Sequence, residues 1–177
     1  MSNGLEILAQ TVVSGNLILI QGLGLYALTR YTKNVKEAVE AGISVVTSML
    51  VGSVLLWLCG SIIPSSPVPQ LGFYLLAALA AAVLAPRILK QDPSAEKMAV
   101  DSALVGLLLL LGRDGVTGVQ NVWIALGAGV GYLLVLVVMA TIRKRLELAP
   151  IPKPLQGLPI LLITAGLLAA ALMGFRF

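Results

Sequence analysis

Asn16 places a carboxamide near the middle of a long apolar run, with Gln10 and Gln21 five or six residues to either side. In hydrocarbon such a group caps a half-helix, bonds across to a neighbouring span, or lines a solvated path. Two readings therefore stand for Asn16: a structural hydrogen-bonding node or part of an ion pathway. Asp101 poses the sharper question, because it lies four residues beyond Lys97 and immediately before Ser102, at the entry to eleven residues free of charge. A carboxylate deep in hydrocarbon is strongly disfavoured unless paired, solvated or protonated. Near the boundary Asp101 would cap a helix or pair with Lys97. Deeper in, it would serve a cation or proton path. Cys59 is the only cysteine and histidine is absent, which excludes an intrachain disulfide and any zinc or haem site needing imidazole from this chain. A lone thiol cannot hold an iron-sulfur cluster, so Cys59 reads as a small buried hydrophobe and any redox centre would be shared or borrowed.

The elements that must position these residues follow from composition. Of 177 residues, 58% are hydrophobic and only 11% charged, whereas a soluble domain carries about 25% charged residues. Long Leu, Val, Ile, Ala and Gly runs, without period-two alternation, indicate transmembrane helices rather than a barrel. The start lacks a basic segment followed by a small-residue cleavage site, so the first apolar stretch is expected to be a retained span. Charges divide the chain into apolar segments at approximately 5–29, 40–63, 71–89, 98–112, 119–141 and 158–175. Five of them approach the length that crosses a hydrocarbon core of roughly 30 Å. The fourth is short. It must recruit Arg113 to Gln120, cross thinned lipid, or be a broken or re-entrant element buried in protein. The expected fold is an all-α polytopic membrane protein, a single membrane domain over 1–177 with six spans. Its halves, 1–90 and 91–177, are expected to be inverted three-span repeats, each opening with a broken or short helix.

Basic residues set the expected orientation. Ten of the twelve occupy three connections: Arg30, Lys33 and Lys36; Arg87, Lys90 and Lys97; and Arg143, Lys144, Arg145 and Lys153. Those connections should be cytoplasmic and both termini outside, in the cytoplasmic (inner) membrane of the cell. The 143–145 cluster reads first as this topology signal, with a lipid-headgroup or partner-docking role as the alternative. The basic balance calls for no nucleic-acid partner, since no groove of interleaved aromatic and basic residues is present. Tyr26 near Arg30, and Trp57 and Trp123 toward the other side, suit interfacial belts. Gly22 and Gly24 permit close helix approach and lack the context of a phosphate loop. Gly127 and Gly131 form a GxxxG packing surface. The prolines at 64, 67 and 69 and at 150, 152, 154 and 159 mark where helices end.

The run IRKRLELAPIPKPLQGLPILLITAGLLAAALMGF, Ile142 to Phe175, resembles the final connection and helix of one family. That family comprises the A subunit of the Rnf electron transport complex and the E subunit of the sodium-pumping NADH:quinone oxidoreductase. The segment NLILIQGLGLYAL, Asn16 to Leu28, and the basic connection Tyr31 to Glu37 extend the resemblance, which covers nearly the whole chain. It implies six-span subunits of opposite topology in pairs, whose half-helices bring cysteines to a shared intramembrane iron-sulfur centre. Residue by residue, the cysteine after the first GLGL-like turn falls at Tyr26. The cysteine of the short fourth span falls at Ser102 within VDSALVG. Asn16 matches the second asparagine of an NN pair, with Gly15 replacing the first, and Asp101 replaces the asparagine of TNC. Both expected ligand positions are thus non-thiol, and a phenol with a hydroxyl is a hard oxygen pair unlike the soft set of an iron-sulfur cluster.

The resemblance implies a membrane subunit of an ion-coupled electron transport complex, acting as scaffold and contributor to an ion or electron path. It is not catalytic alone. The implied partners are a homologous six-span subunit of opposite topology, other membrane and cytoplasmic redox subunits, and the lipid bilayer. The implied cofactors, flavins and iron-sulfur clusters, belong to partner subunits, with none held by this chain alone. Asn16 and Asp101 are the ion-path candidates; Tyr26 and Ser102 mark the altered cofactor site. A small cation transporter and a non-redox assembly scaffold are the alternatives.

Overall fold

The computed structural model describes residues 11–12, 15–60, 63, 66–88, 102–113 and 118–174. Every regular element among them is helical: α1 (Leu25–Tyr31), α2 (Val35–Leu58), α3 (Pro67–Ile88), α4 (Ser102–Arg113), α5 (Val119–Leu146), a 3-10 turn (Lys153–Leu155) and α6 (Leu158–Met173). Gln10, Lys97 and Asp101 lie outside the described residues. Three helices are long and apolar enough to cross a membrane: Val35–Leu58, Val68–Ala85 within α3, and Val119–Leu146. With the shorter apolar helices α4 and α6, they form an all-α polytopic membrane protein.

The second span begins five residues before its charge-based boundary. Asn34 takes extended backbone ahead of α2, and its side-chain amide donates to Glu37 Oε1 at 3.1 Å. Glu37 sits in the first turn, where the helix dipole favours an acid, so a charge that looked like a boundary belongs inside the helix. The fifth span runs five residues longer than its apolar stretch. Over 28 residues it extends about 42 Å and carries Arg143, Lys144 and Arg145 beyond a hydrocarbon core of roughly 30 Å. Proline marks the starts of two helices: α3 starts at Pro67, and Pro159 is the second residue of α6, where a missing N–H costs no helical bond.

The core is built on α2 and α5, with α4 enclosed between them and α3. Ala103, Leu104, Leu107, Leu108 and Leu111 of α4 are all buried. Its 12 residues reach only about 18 Å. α4 is therefore a short element wrapped in protein. It ends at Arg113, and Gly118 forms a turn before α5, so the helix does not run on through Gln120. Glycines let neighbours into this layer. A Cβ at Gly112 would lie 2.1 Å from Tyr74 Cζ of α3, and one at Gly52 would lie 3.1 Å from Leu108 Cδ2. Only Leu161 and Ala165 of α6 are buried, which leaves the other sides of that helix facing outward. Trp57 and Trp123 are exposed at the ends of α2 and α5, as anchoring rings at an interface would be. Cys59 is half-buried and caps the C-terminus of α2.

Candidate functional site

The first apolar run is broken. Thr11 and Val12 are helical, residues 15–24 form successive turns, and a helix resumes at Leu25. Asn16 holds the break, and its carboxamide is 2% exposed. Nδ2 donates to the Val12 carbonyl at 3.1 Å and to the Gly131 carbonyl of α5 at 3.2 Å. Oδ1 accepts from the N–H groups of Ile18 and Leu19 at 3.1 and 3.2 Å. The side chain thus satisfies two backbone donors that a broken helix would orphan, and it ties the break to a helix 115 residues away. The main chain closes on itself as well. The Asn16 carbonyl accepts from Ile20 and Gln21 at 3.0 and 3.3 Å, and Leu23 N–H donates to the Leu17 carbonyl at 2.8 Å. Such irregular backbone survives at membrane depth only when protein surrounds it, and Asn16, Leu17 and Ile18 are all buried.

The GxxxG surface of α5 makes the tether possible. A Cβ at Gly131 would lie 3.1 Å from Asn16 Nδ2 and 3.2 Å from Val12 Cα. The break then turns onto the first residues of α4. Gly24 N–H donates to Ser102 Oγ at 3.0 Å, while a Cβ at Gly106 would stand 2.3 Å from Leu23 Cδ1. Gly24 permits the close approach that its sequence suggests. Gly22 has open space around it and serves the turn through its positive φ of 69°.

Of the two positions that the resemblance aligns with cluster cysteines, Ser102 makes this contact and Tyr26 lies two residues beyond Gly24. Tyr26 is in the first turn of α1 and 63% exposed. Ser102 opens α4, and its hydroxyl already accepts the Gly24 N–H. Neither oxygen supplies a soft thiolate, and no group of three His, Cys, Asp or Glu side chains gathers among the described residues. The residues at these positions do not fit an iron-sulfur cluster.

A second polar node is marked in the sequence only as part of the basic 143–145 cluster. Arg143, near the end of α5, donates from Nη1 to the Thr29 carbonyl at 3.2 Å and to Thr32 Oγ1 at 3.3 Å. Thr32 is fully buried and donates in turn to the Leu28 carbonyl. A guanidinium at the C-terminus of α1 is placed where helix carbonyls lack partners. It also brings the first and fifth connections to the same end of the bundle. Nothing in the spacing of Arg143 distinguishes it from Lys144 and Arg145; only the partner at Thr32 does. Asn121, also unmarked in the sequence, is buried in the first turn of α5, and its Oδ1 has no partner among the described residues.

Comparison with known proteins gives a consistent set of relatives. The family described as "Rnf-Nqr subunit, membrane protein" matches residues 98–177. The A subunit of the ion-translocating oxidoreductase complex of Syntrophotalea carbinolica is 32% identical over 99% of this chain and 97% of its own length. The A subunit of the proton-translocating ferredoxin:NAD(+) oxidoreductase complex of Clostridium ljungdahlii is 30% identical with the same coverage. The A subunit of the ion-translocating oxidoreductase complex of Proteus mirabilis is 31% identical, again over 99% and 97%.

Proposed function

The chain belongs to the Rnf-Nqr family of membrane subunits, and from that membership we propose that it is the A-type membrane subunit of an ion-translocating oxidoreductase complex. It supplies an insulating helical frame and a polar discontinuity, and its redox chemistry resides in cofactors held by partners. The observation that carries this reading is the docking of the broken segment 15–24 onto the start of α4 through the Gly24 to Ser102 hydrogen bond. A buried, doubly tethered break is what a membrane subunit needs where charge or electrons pass between half-spans. The halves 1–90 and 91–177 act as inverted repeats in this proposal, and a homologous subunit of opposite topology stands as the partner.

Purification in mild detergent should recover this chain with such a homologue and with flavin or iron-sulfur proteins. Cation uptake by the isolated chain in liposomes, with no partners recovered, would favour a stand-alone transporter instead. Within the complex, iron located by anomalous scattering should lie away from Tyr26 and Ser102, because the phenol is exposed and the hydroxyl is engaged. A cluster within bonding distance of either residue would overturn the non-ligating assignment.

The proposed orientation puts both termini outside and the three basic connections in the cytoplasm. The Arg143 contact with Thr29 and Thr32 supports it, since it unites two of those connections. Labelling of single introduced cysteines near Pro67 and Pro152, in a Cys59→Ala background, should find the first accessible from outside and the second from the cytoplasm. The reverse at both sites would defeat the arrangement.

Asp101 and Asn16 remain the proposed contributors to an ion path. Asn16 has its donors and acceptor committed to backbone, so its contribution is to hold the break open, and Asp101 is the residue to carry charge. Asp101→Asn keeps shape and removes charge. It should preserve assembly while lowering ion-coupled turnover and changing its cation or pH dependence. Unchanged coupled turnover in an assembled complex would reduce Asp101 to a cap or interface residue.

A further inference from the structure

The far end of α5, the 147–157 connection and the start of α6 enclose a cavity of about 270 Å³ that the proposed function does not use. Met139, Leu146, Ile160 and Leu161 give it an apolar part, and Arg143, Glu147 and Gln156 also line it. α5 outlasts the hydrocarbon thickness here, so the cavity straddles the boundary between acyl chains and water.

We propose that this cavity seats the headgroup of an anionic glycerophospholipid. Three observations converge on that occupant. The Arg143 guanidinium is fixed in place through Nη1 by Thr29 and Thr32, which leaves its Nε and Nη2 edge for a phosphate in the two-pronged manner that guanidinium favours. That edge carries an i,i+4 ion pair, with Nε 3.9 Å from Glu147 Oε1, too long for a hydrogen bond, so a phosphate would compete with this carboxylate for the guanidinium. Glu147 is 66% exposed, and an exposed ion pair of this kind is held only weakly, so the carboxylate can yield to a phosphate. Secondly, α6 begins at the cavity with Gly157 and no side-chain cap, and the N-terminal end of a helix favours an anion. Thirdly, residues 143–157 carry Arg143, Lys144, Arg145 and Lys153 against Glu147 alone, a basic excess of the kind that attracts anionic lipids.

The size agrees with a headgroup rather than a whole ligand. Pockets enclosing a complete small molecule span about 300–1,000 Å³, so a cavity of about 270 Å³ suits a headgroup whose acyl chains remain in the bilayer. Gln156 is positioned by its own contact, with Nε2 donating to the Ile151 carbonyl at 2.9 Å. That bond braces the connection forming the outer rim.

The site requires only that the chain spans a membrane, so it is tested apart from membership of the complex. The full chain is placed in vesicles of phosphatidylcholine containing a trace of phosphatidylglycerol with a photoreactive acyl chain. Cross-links mapped by peptide should concentrate between residues 139 and 164. Unlabelled phosphatidylglycerol should compete about tenfold better than phosphatidylcholine, as expected for one charge-assisted contact, and inorganic phosphate should not compete. Ala149→Trp fills the cavity from its rim without touching the Arg143 tether, and should reduce labelling about tenfold at equal membrane abundance. Arg143→Lys keeps charge but loses the fork, and should fall between the two. Labelling spread evenly over α2 and α3, equal competition by phosphatidylcholine, displacement by phosphate alone, or an Ala149→Trp chain labelled like the wild type would each overturn the proposal. In the intact complex, labelling abolished by a partner protein would overturn it equally, because a protein segment would then fill the cavity.

Discussion

Asn16→Leu should leave little folded chain in the membrane. Leucine matches the carboxamide in bulk but offers no acceptor to Ile18 and Leu19 and no donor to Val12 and Gly131. Two backbone N–H groups then lose their partner in a place where neighbouring residues are buried. At about 1–3 kcal/mol for each unsatisfied group, the loss is about 2–6 kcal/mol, a large share of a typical total of about 5–15 kcal/mol. Asn16→Ser separates the two halves of the role. A serine hydroxyl still accepts from the following turn in the manner of a cap, but is too short to replace the bridge to Gly131. Its melting temperature in detergent should fall between those of the wild type and Asn16→Leu. A leucine variant with wild-type abundance and melting temperature would show that the break is held by packing alone.

Gly24→Ala should destabilise far more than Gly22→Ala, although both glycines have positive φ, 84° and 69°. Each alanine pays for left-handed backbone, about 1–2 kcal/mol. At Gly22 nothing lies within 4 Å of the added methyl, so that strain is the whole effect. At Gly24 the methyl would stand 2.9 Å from Tyr132 Cε2 and 3.2 Å from Ala103 Cβ. Tyr132 and Ala103 are both fully buried, so neither can yield cheaply, and overpacking adds about 1–3 kcal/mol. The same methyl pushes the turn away from Ser102 and weakens the bond that joins the break to α4. Thermal melting of both variants in the same detergent checks this. Equal losses would mean that the Gly24 contact relaxes without cost and that α4 is not anchored there.

Much of this protein is legible in its sequence because a bilayer imposes one-dimensional rules. The scarcity of charge fixes the membrane class, since each ionised group in hydrocarbon must be paired or functional. Charge and proline place most helix ends within a few residues. Asn16 within an apolar run points to an interrupted first span, and the shortness of the stretch to Gly112 singles out the fourth, for which burial in protein is one of three readings and the one α4 shows. Three boundaries differ by five residues: α2 starts earlier and ends earlier than its apolar stretch, at Leu58, and α5 runs on to Leu146. The α2 start and the α5 end differ because charge is compatible with a helix that leaves the hydrocarbon. Helices project through the interface, and Glu37 and Arg143 are at home in their terminal turns.

Partnership was settled only in three dimensions. Hydropathy reports that a residue leaves water, and an apolar side chain facing lipid reads the same as one facing another helix. The sequence therefore left open whether the short fourth stretch is enclosed or crosses thinned lipid, and it gave no sign that most of α6 faces outward. Nor could it separate Arg143 from Lys144 and Arg145, because the buried hydroxyl of Thr32 that distinguishes it lies 111 residues earlier. For Asn16 the sequence kept node and pathway both open, and only the fold shows the Gly131 carbonyl 3.2 Å from its amide. Ser102 was an absent thiol until its hydroxyl met the Gly24 N–H. In each case the sequence named a polar group that needed a partner, and the fold supplied that partner by bringing a distant segment within hydrogen-bonding range; for Asn16, which is buried, no water is present to take its place.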